Sequence, residues 1–139
     1  MVYTIWFIGN NNLDIFAKKL HRIMTDQPVV LLDNEMTKKM LSFDLGYSKY
    51  NKEKHVFRVI NICYLLLSNK ISAIVALDIP VNRIRRYARF LLKNLILVHI
   101  KTAETKDIGE ADIILDTQQY SVSECFEQLK VFLKEKDVL

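Results

Sequence analysis

The turn at residues 9–12 is the first place where this sequence could handle a phosphate. It follows an apolar run, residues 3–8, and leads into an amphipathic stretch. A loop between a strand and a helix grips polyphosphate through backbone N–H groups, a lysine and a hydroxyl, in the pattern G-x-x-x-x-G-K-[ST]. Here Asp14, Ile15 and Phe16 stand at the second glycine, the lysine and the hydroxyl. The residues of this predicted degenerate loop are Gly9, Asn10, Asn11 and Asn12.

Asparagine leaves one alternative open for this turn. Because asparagine tolerates the left-handed backbone, three of them could still form a shallow nest of N–H groups for a sulfate or phosphate. Tight ATP binding does not follow, since Asp14 would put a negative charge where the phosphates must lie. We therefore expect weak anion or nucleotide binding at most, and no cofactor. ATP with Mg²⁺ is expected only if the chain is a working enzyme.

Two carboxylates, Asp33 and Glu35, follow the next apolar run, residues 29–33. Carboxylates at the end of a strand can serve as a general base or bind Mg²⁺. The alternative is that Asp33 caps the helix that follows. We favour capping, because carboxylates without a phosphate anchor have nothing to act on.

A run of arginines follows Pro80 and could bind an anion, a nucleic acid or a protein partner. Its members are Arg83, Arg85, Arg86 and Arg89, with Lys93 beyond them. A solvated helix face is the commoner outcome for such a run, and the net charge of +4 permits nucleic-acid contact without requiring it. We expect Tyr87 on this stretch to lie in the core.

The remaining chemistry-bearing side chains point to structural roles. The three histidines are far apart and share no metal-ligand spacing with Cys63 or Cys125, so we predict no metal site and two buried free thiols. The group Tyr47, Tyr50 and Phe57 could stack on a base, but packing between a turn and a helix is the more ordinary interpretation.

Composition sets the frame for these candidates. A chain of 139 residues, 50% hydrophobic and 26% charged, fits a single domain over residues 1–139 with a sizeable core. Its apolar runs are too short for a membrane span, and no basic leader precedes the first one, so we expect no membrane partner and a cytoplasmic location. Buried free cysteines suit that reducing compartment.

Strand and helix patterns alternate along the whole chain. Strands are predicted at residues 2–8, 29–33, 71–77, 95–100 and 112–115, and helices at 13–24, 35–41, 52–68, 82–93 and from Val122 onward. The continuous apolar run 29–33 is typical of a strand buried on both faces. Asn12 is placed to cap the first helix, and Ser121 and Glu124 have the form of a capping box. The alternation predicts a three-layer α/β/α fold with a five-stranded parallel sheet.

Segments spread over nearly the whole chain resemble the adenylylsulfate (APS) kinases, which transfer the γ-phosphate of ATP to the 3′-hydroxyl of adenylylsulfate. The matching segments are residues 5–9 at the loop entry, 31–38 (L-L-D-N-E-M-T-K), 44–48 (D-L-G-Y-S), 55–59 (H-V-F-R-V), 73–85 with its Pro80 and Arg85, and 115–125 (L-D-T through S-V-S-E-C). The resemblance implies a P-loop NTPase-like fold of the nucleotide-kinase type. It also implies that Lys38, Arg58 and Pro80 lie at the substrate site.

The departures from that family fall at the chemistry. The loop lysine is missing, Lys38 and Phe43 replace arginines, His55 replaces an asparagine and Phe57 replaces another arginine. Residues 103–111 are too few for the long basic lid that the family closes over the phosphoryl group.

From these departures we predict a catalytically inactive APS-kinase-like domain with an interaction or regulatory role, acting with a protein partner or as a homodimer. A divergent kinase of adenylylsulfate or a related small molecule, and a nucleic-acid-binding module built on the arginine run, are the alternatives.

Overall fold

The computed structural model describes all residues from 1 to 139, and its strands and helices alternate except that α2 and α3 are consecutive and no helix separates β4 from β5. The strands are β1 (Thr4–Gly9), β2 (Val29–Asp33), β3 (Ser72–Ala76), β4 (Leu95–Lys101) and β5 (Ile113–Asp116). The helices are α1 (Leu13–Ile23), α2 (Asn34–Leu41), α3 (Lys49–Ser68), α4 (Asn82–Leu91) and α5 (Val122–Glu135). The strands form one parallel sheet in the order β2-β3-β1-β4-β5. The predicted five-stranded parallel sheet is confirmed.

The two faces of the sheet carry two separate hydrophobic cores. Strand alternation sends Ile5 and Phe7 of β1 into the core beneath α1 and α5. Trp6 and Ile8 enter the core beneath α3 and α4. Every residue of β1 is buried because this central strand has neighbours on both edges and helices on both faces.

The prediction that residues 29–33 are buried on both faces is wrong. β2 is an edge strand, paired only with β3, and each of its five residues is half-buried. A continuous apolar run shows that a strand is covered, but it does not distinguish the centre of a parallel sheet from its edge.

Helix boundaries depart from the predictions where a local cap decides them. α3 begins at Lys49, one turn earlier than expected, because the Ser48 hydroxyl accepts the N–H of Asn51 at 3.1 Å. α4 ends at Leu91, and Asn94 beyond it adopts a left-handed backbone with φ 60°. The predicted capping box of α5 is confirmed, with both Ser121–Glu124 hydrogen bonds present.

The expectations about membrane spans and cysteines concern the helices. None of the helices combines the length and the apolarity that crossing a bilayer requires. Cys63 and Cys125 are free and buried, as predicted. Burial raises the pKa of the Cys63 thiol to about 12, which makes it a poor nucleophile.

Candidate functional site

The carboxyl edge of the sheet gathers the turns that follow neighbouring strands. The 9–12 turn follows β1, Asp33 ends β2, Asp78 follows β3, and residues 102–112 connect β4 to β5. In open parallel sheets ligands bind at this edge, where chain connections diverge to opposite sides. The sheet therefore brings the predicted loop and the predicted carboxylates to one edge of the molecule.

Gly9 is a glycine because of the neighbouring strand. Its φ is 133°, and a Cβ at this position would lie 2.5 Å from the carbonyl oxygen of Ile100 on β4. Only glycine fits such a close approach. Asn12 occupies the N-cap position of α1 with a left-handed φ of 66°, but its side chain makes no capping hydrogen bond, so the predicted side-chain cap is wrong. Asn11 instead donates its side-chain N–H to the carboxylate of Glu104 at 3.2 Å.

Asp78 is the residue that sequence reasoning missed at this turn. The backbone N–H of Gly9 donates to its carboxylate at 2.8 Å. Burial raises the pKa of this carboxyl, while the Gly9 hydrogen bond and the nearby charge of Arg85 act in the opposite direction. The signal that could have found it is an aspartate directly after an apolar strand, since that strand pairs with β1. The N–H at the start of the turn is therefore already satisfied by an internal carboxyl oxygen.

The side chains after the turn are built into the packing of α1. Phe16, at the position of the family's hydroxyl, is fully buried and stacks on Phe7 with ring centroids 6.2 Å apart. Ile15, at the lysine position, is 47% exposed. Lys19 places its ammonium 5.5 Å from the ring centroid of Phe126, on the α5 side. A substitution that restored the phosphate motif here would replace a core aromatic ring.

The predicted basic patch on α4 is wrong in its composition. Arg85 is buried and donates to the carbonyls of Ile79 at 2.6 Å and Glu110 at 3.0 Å, and also to that of Ile108. Arg89 pairs with Glu110 and Asp112, and Arg83 pairs with Glu53 at 3.1 Å. Of the four arginines only Arg86 is exposed without an ion pair. The sequence showed the run of arginines but not that the acidic residues of the 107–112 connection fold against it.

Asp33 caps α2, as we favoured. Its carboxylate accepts the N–H of Met36 at 2.7 Å. Glu35 is exposed and lies with Asp14, Lys38 and Lys39 around a shallow depression. The two carboxylates thus differ, because the first is occupied by the helix end and the second faces solvent.

A cavity of about 580 Å³ lies between α2, the start of α3 and the residues after β3. That volume lies within the usual range for sites that bind small organic molecules. Its walls are Asn34, Lys38, Tyr47, Lys49, Lys52, Glu53, His55, Val56, Leu77, Asp78, Pro80, Val81 and Ile84. Three ammonium groups and an aromatic ring around an apolar floor can hold a flat, anionic molecule. The two carboxylates of the walls already have partners, since Glu53 pairs with Arg83 and Asp78 accepts the N–H of Gly9.

Two of the predicted substrate-site residues fasten the turn at residues 42–48. Lys38 donates to the carbonyls of Leu45 at 2.9 Å and Gly46 at 3.0 Å, and its ammonium lies 4.9 Å from the ring centroid of Tyr47. Its ammonium has a third N–H to offer the cavity. Arg58 grips both carboxylate oxygens of Asp44 at 2.6 and 2.9 Å and does not line the cavity. Its guanidinium holds the pKa of Asp44 at about 2.

A buried chain of hydrogen bonds joins α2 to α3 behind the cavity. Thr37 donates its hydroxyl to the Asp33 carbonyl at 2.8 Å, so it accepts from His55 Nε2, 3.3 Å away. Nδ1 of His55 then accepts from Ser42 Oγ at 2.6 Å. Burial lowers the pKa of His55, and the charges of Lys38 and Arg58 add to the effect. A neutral histidine at this position sets the back wall of the cavity.

Three tyrosines are more exposed than predicted, whereas Phe57, the third member of the predicted packing group, is half-buried and packs against the core. Tyr47 and Tyr50 are 80% and 72% exposed, so they do not pack between the turn and the helix. Tyr87 is 39% exposed and meets Phe57 edge-to-face, with ring centroids 5.2 Å apart.

Nowhere in the chain do three or more His, Cys, Asp or Glu side chains lie close enough together to hold a metal ion.

Comparison with known proteins relates this arrangement to one group of enzymes. Residues 1–112 match the family described as Adenylylsulphate kinase. A protein named probable adenylyl-sulfate kinase, from Pyrococcus abyssi, is 37% identical over 91 residues, which make up 63% of this chain and 52% of that protein. This chain therefore spans about half the length of that relative.

Solved structures share the fold at low sequence identity. A hexameric APS kinase from Thiobacillus denitrificans superposes with a TM-score of 0.84 at 23% identity, covering all of this chain and 30% of that one. The Mycobacterium tuberculosis APS kinase CysC, solved in complex with AMPPNP and APS, gives a TM-score of 0.72 at 16% identity and covers 96% of this chain and 98% of that one.

Proposed function

Because the chain belongs to the adenylylsulfate kinase family, we propose that it is a member that no longer transfers phosphate and that serves an interaction or regulatory role. In this proposal the chain needs neither ATP nor Mg²⁺. The cavity beside α3 still takes an anionic nucleotide of the adenylylsulfate type, and the role is exercised in the cytoplasm with a protein partner or a second copy.

The observation that carries the proposal is the hydrogen bond from Gly9 N–H to the Asp78 carboxylate. Phosphate loops work because their N–H groups are free to meet an anion and a lysine supplies the charge. Here a carboxylate already accepts the N–H of Gly9 at the entry to the turn, and Ile15 stands where the lysine belongs. Bringing a triphosphate to this turn would add its charge to that of Asp78 in a partly buried place.

The cavity supports the second half of the proposal. Lys38 and Pro80, which the family resemblance assigns to the substrate site, both line it. Lys49 and Lys52 are exposed at the same cavity and form no ion pair. An anion that met them would be held by ammonium groups with free donors.

Calorimetry separates the two halves of the proposal. We expect no saturable heat when Mg-ATP is titrated into micromolar protein, and saturable binding of adenylylsulfate that Lys52→Glu weakens at least tenfold. Lys134→Glu on α5 is the matched control, because Lys134 is also exposed and unpaired and the change makes the same charge difference away from the cavity. Tight Mg-ATP binding would refute the loss of phosphate transfer. Loss of adenylylsulfate binding in both variants alike would refute the assignment of the cavity.

A divergent kinase is the second candidate, because Glu35 and Lys38 line one depression together with Asp14, at the start of α1 beside the turn. Radiolabel transfer from ATP to adenylylsulfate would establish it. Asp33→Ser is the informative variant, since serine keeps a helix cap while removing the carboxylate. Activity that this variant abolishes would favour the kinase, and no transfer by the unmodified protein would exclude it.

The nucleic-acid alternative has lost its main support. Arg85 is buried and two of its three companions are already paired with carboxylates. We expect no gel shift with duplex or single-stranded nucleic acid at low salt, where phosphate contacts are strongest.

A further inference from the structure

The chain from β4 to β5, residues 102–112, contains no helix or strand and is attached to α4 by side chains. Arg85 of α4 donates to the carbonyls of Ile108 and Glu110. Asn82, in the first turn of α4, accepts the N–H of Glu110 at 3.0 Å. We call residues 102–112 the β4–β5 connection. Its middle is therefore held in place by two side chains of one helix.

His99 of β4 lies beneath this attachment. Only 3% of the residue is exposed, and its Nδ1 is buried without a hydrogen-bond partner. Because β4 pairs with β1, His99 lies opposite Ile8, one position before Gly9. The backbone of Ile108 lies beside the imidazole ring. The ring therefore lies between the sheet and the attached middle of the β4–β5 connection.

Charged groups from three elements face the ring of His99. Arg85 comes from α4, Asp78 from the residues after β3, and Asp107 from the β4–β5 connection. The guanidinium already donates to three carbonyls, and Asp78 already accepts a backbone N–H. Burial and the charge of Arg85 lower the pKa of His99 and outweigh the opposite effect of the two carboxylates. The ring is therefore neutral at pH 7.

The unpartnered nitrogen makes the two charge states of the ring unequal in the closed structure. In a neutral ring with its proton on Nε2, Nδ1 has only a lone pair without a partner. A second proton turns Nδ1 into a buried N–H donor that meets no acceptor, and it adds a positive charge beside Arg85. Both penalties disappear once water reaches the ring. Acid should therefore favour a form in which the β4–β5 connection has lifted away.

We propose that the β4–β5 connection is an acid-released cover over the carboxyl edge of the sheet, which opens when His99 takes up a proton. Opening breaks the hydrogen bond between Asn11 and Glu104, so the 9–12 turn loses its contact with the connection. A histidine whose pKa is lowered in the closed form stabilises that form above its free pKa, near 6.5. This stabilisation is lost as the pH falls from about 6.5 toward the lower pKa of the closed form. The inference does not depend on whether the cavity binds a nucleotide.

Hydrogen–deuterium exchange of the full chain tests the proposal. The informative amides are those of Glu110 and Asp112, which donate to Asn82 and Leu97. After correction for the intrinsic pH dependence of exchange, we expect their protection to fall about tenfold between pH 7.5 and pH 5.0, because only the open ring titrates freely. His99→Phe cannot take up a proton and should keep its protection at pH 5.0. Equal protection of the parent at both pH values, or a phenylalanine variant that loses protection as the parent does, would overturn the proposal.

Two further measurements separate this cover from general acid sensitivity. His55→Gln is the matched control, because His55 is also a buried histidine with a lowered pKa but lies behind the cavity. It should leave the pH dependence at Glu110 unchanged, and a variant that abolishes this dependence would assign the effect to the wrong histidine. His99→Gln, which also stays neutral, should behave like His99→Phe. In a nuclear magnetic resonance titration of the parent, a His99 ring that protonates near pH 6.5 with no change in amide protection would also overturn the proposal.

Discussion

The 9–12 turn and the cavity beside α3 share one edge of the sheet, yet their polar groups are used differently. At the turn, Gly9 N–H meets an internal carboxylate and the following aromatic ring belongs to the core. Around the cavity, Lys49 and Lys52 keep free ammonium groups, and Lys38 keeps one free donor after fastening a turn. The loop has become part of the scaffold, while the cavity remains lined by groups that a ligand could satisfy.

The contrast indicates where a substitution should cost little stability and where it should cost much. Cations at an open rim can be exchanged one at a time with little structural effect, because solvent replaces what is lost. A side chain that has moved into a core cannot be exchanged without leaving a cavity. Substitutions in the two regions should therefore differ in how much unfolding free energy they remove.

The largest effect is expected from restoring the hydroxyl of the phosphate motif. Phe16→Ser removes a fully buried ring that stacks on Phe7, and we expect it to lower the free energy of unfolding by about 3–5 kcal/mol. Ile15→Lys, which restores the lysine of the motif at the preceding position, is the control. Because Ile15 is exposed, its replacement should change stability by no more than about 0.5 kcal/mol. Urea denaturation measures the unfolding free energy of both variants. Equal losses in the two would contradict the difference between the buried and the exposed position.

On the cavity side, the buried hydrogen-bond chain predicts an intermediate effect. His55→Leu removes the acceptor of the Ser42 hydroxyl and the donor to the Thr37 hydroxyl. We expect a loss of about 1–3 kcal/mol of unfolding free energy. His55→Gln is the informative companion, because an amide can accept from one hydroxyl and donate to the other. It should recover much of the loss, and an equal loss in both variants would show that packing, not hydrogen bonding, sets this wall.

The smallest effect concerns the turn that closes the cavity. Arg58 holds the pKa of Asp44 at about 2, whereas the usual value is 3.8. A carboxyl whose pKa is lowered by folding adds stability above its unfolded pKa and loses it as the pH falls, here between about pH 4 and pH 2. Arg58→Met should return the pKa of Asp44 toward its usual value in a nuclear magnetic resonance titration and remove this part of the acid sensitivity. An unchanged titration of Asp44 would show that the pair does not form in solution.

The fold was predictable because its signals are local. Apolar runs alternating with helical periodicity specify the strands, and caps such as Ser121 with Glu124 are fixed within four residues. The order of motifs along the chain then indicated the family. These signals need no knowledge of which elements meet in space.

The candidate site was predicted less well, because its residues are defined by distant partners. Asp78 matters only because β3 pairs with β1 and brings it 2.8 Å from Gly9, 69 positions earlier. Arg85 and Arg89 look like part of a basic surface until the connection 107–112 folds over them. Tyr47 on the turn and Tyr50 in the first turn of α3 have apolar bodies that suit packing, but both side chains face solvent.

The carbonyl contacts of Arg85 have one further consequence, for how the chain tolerates added length. Opening the stretch around residues 108–110 would break the charge-assisted hydrogen bonds to Ile108 and Glu110 and leave a buried guanidinium with the Ile79 carbonyl alone, so backbone amides there should exchange with deuterium only slowly. The preceding stretch, residues 103–106, is mostly exposed and lies before that anchor. Inserted residues should therefore be accommodated at 103–106, where they loop out into solvent, and rejected two or three positions later.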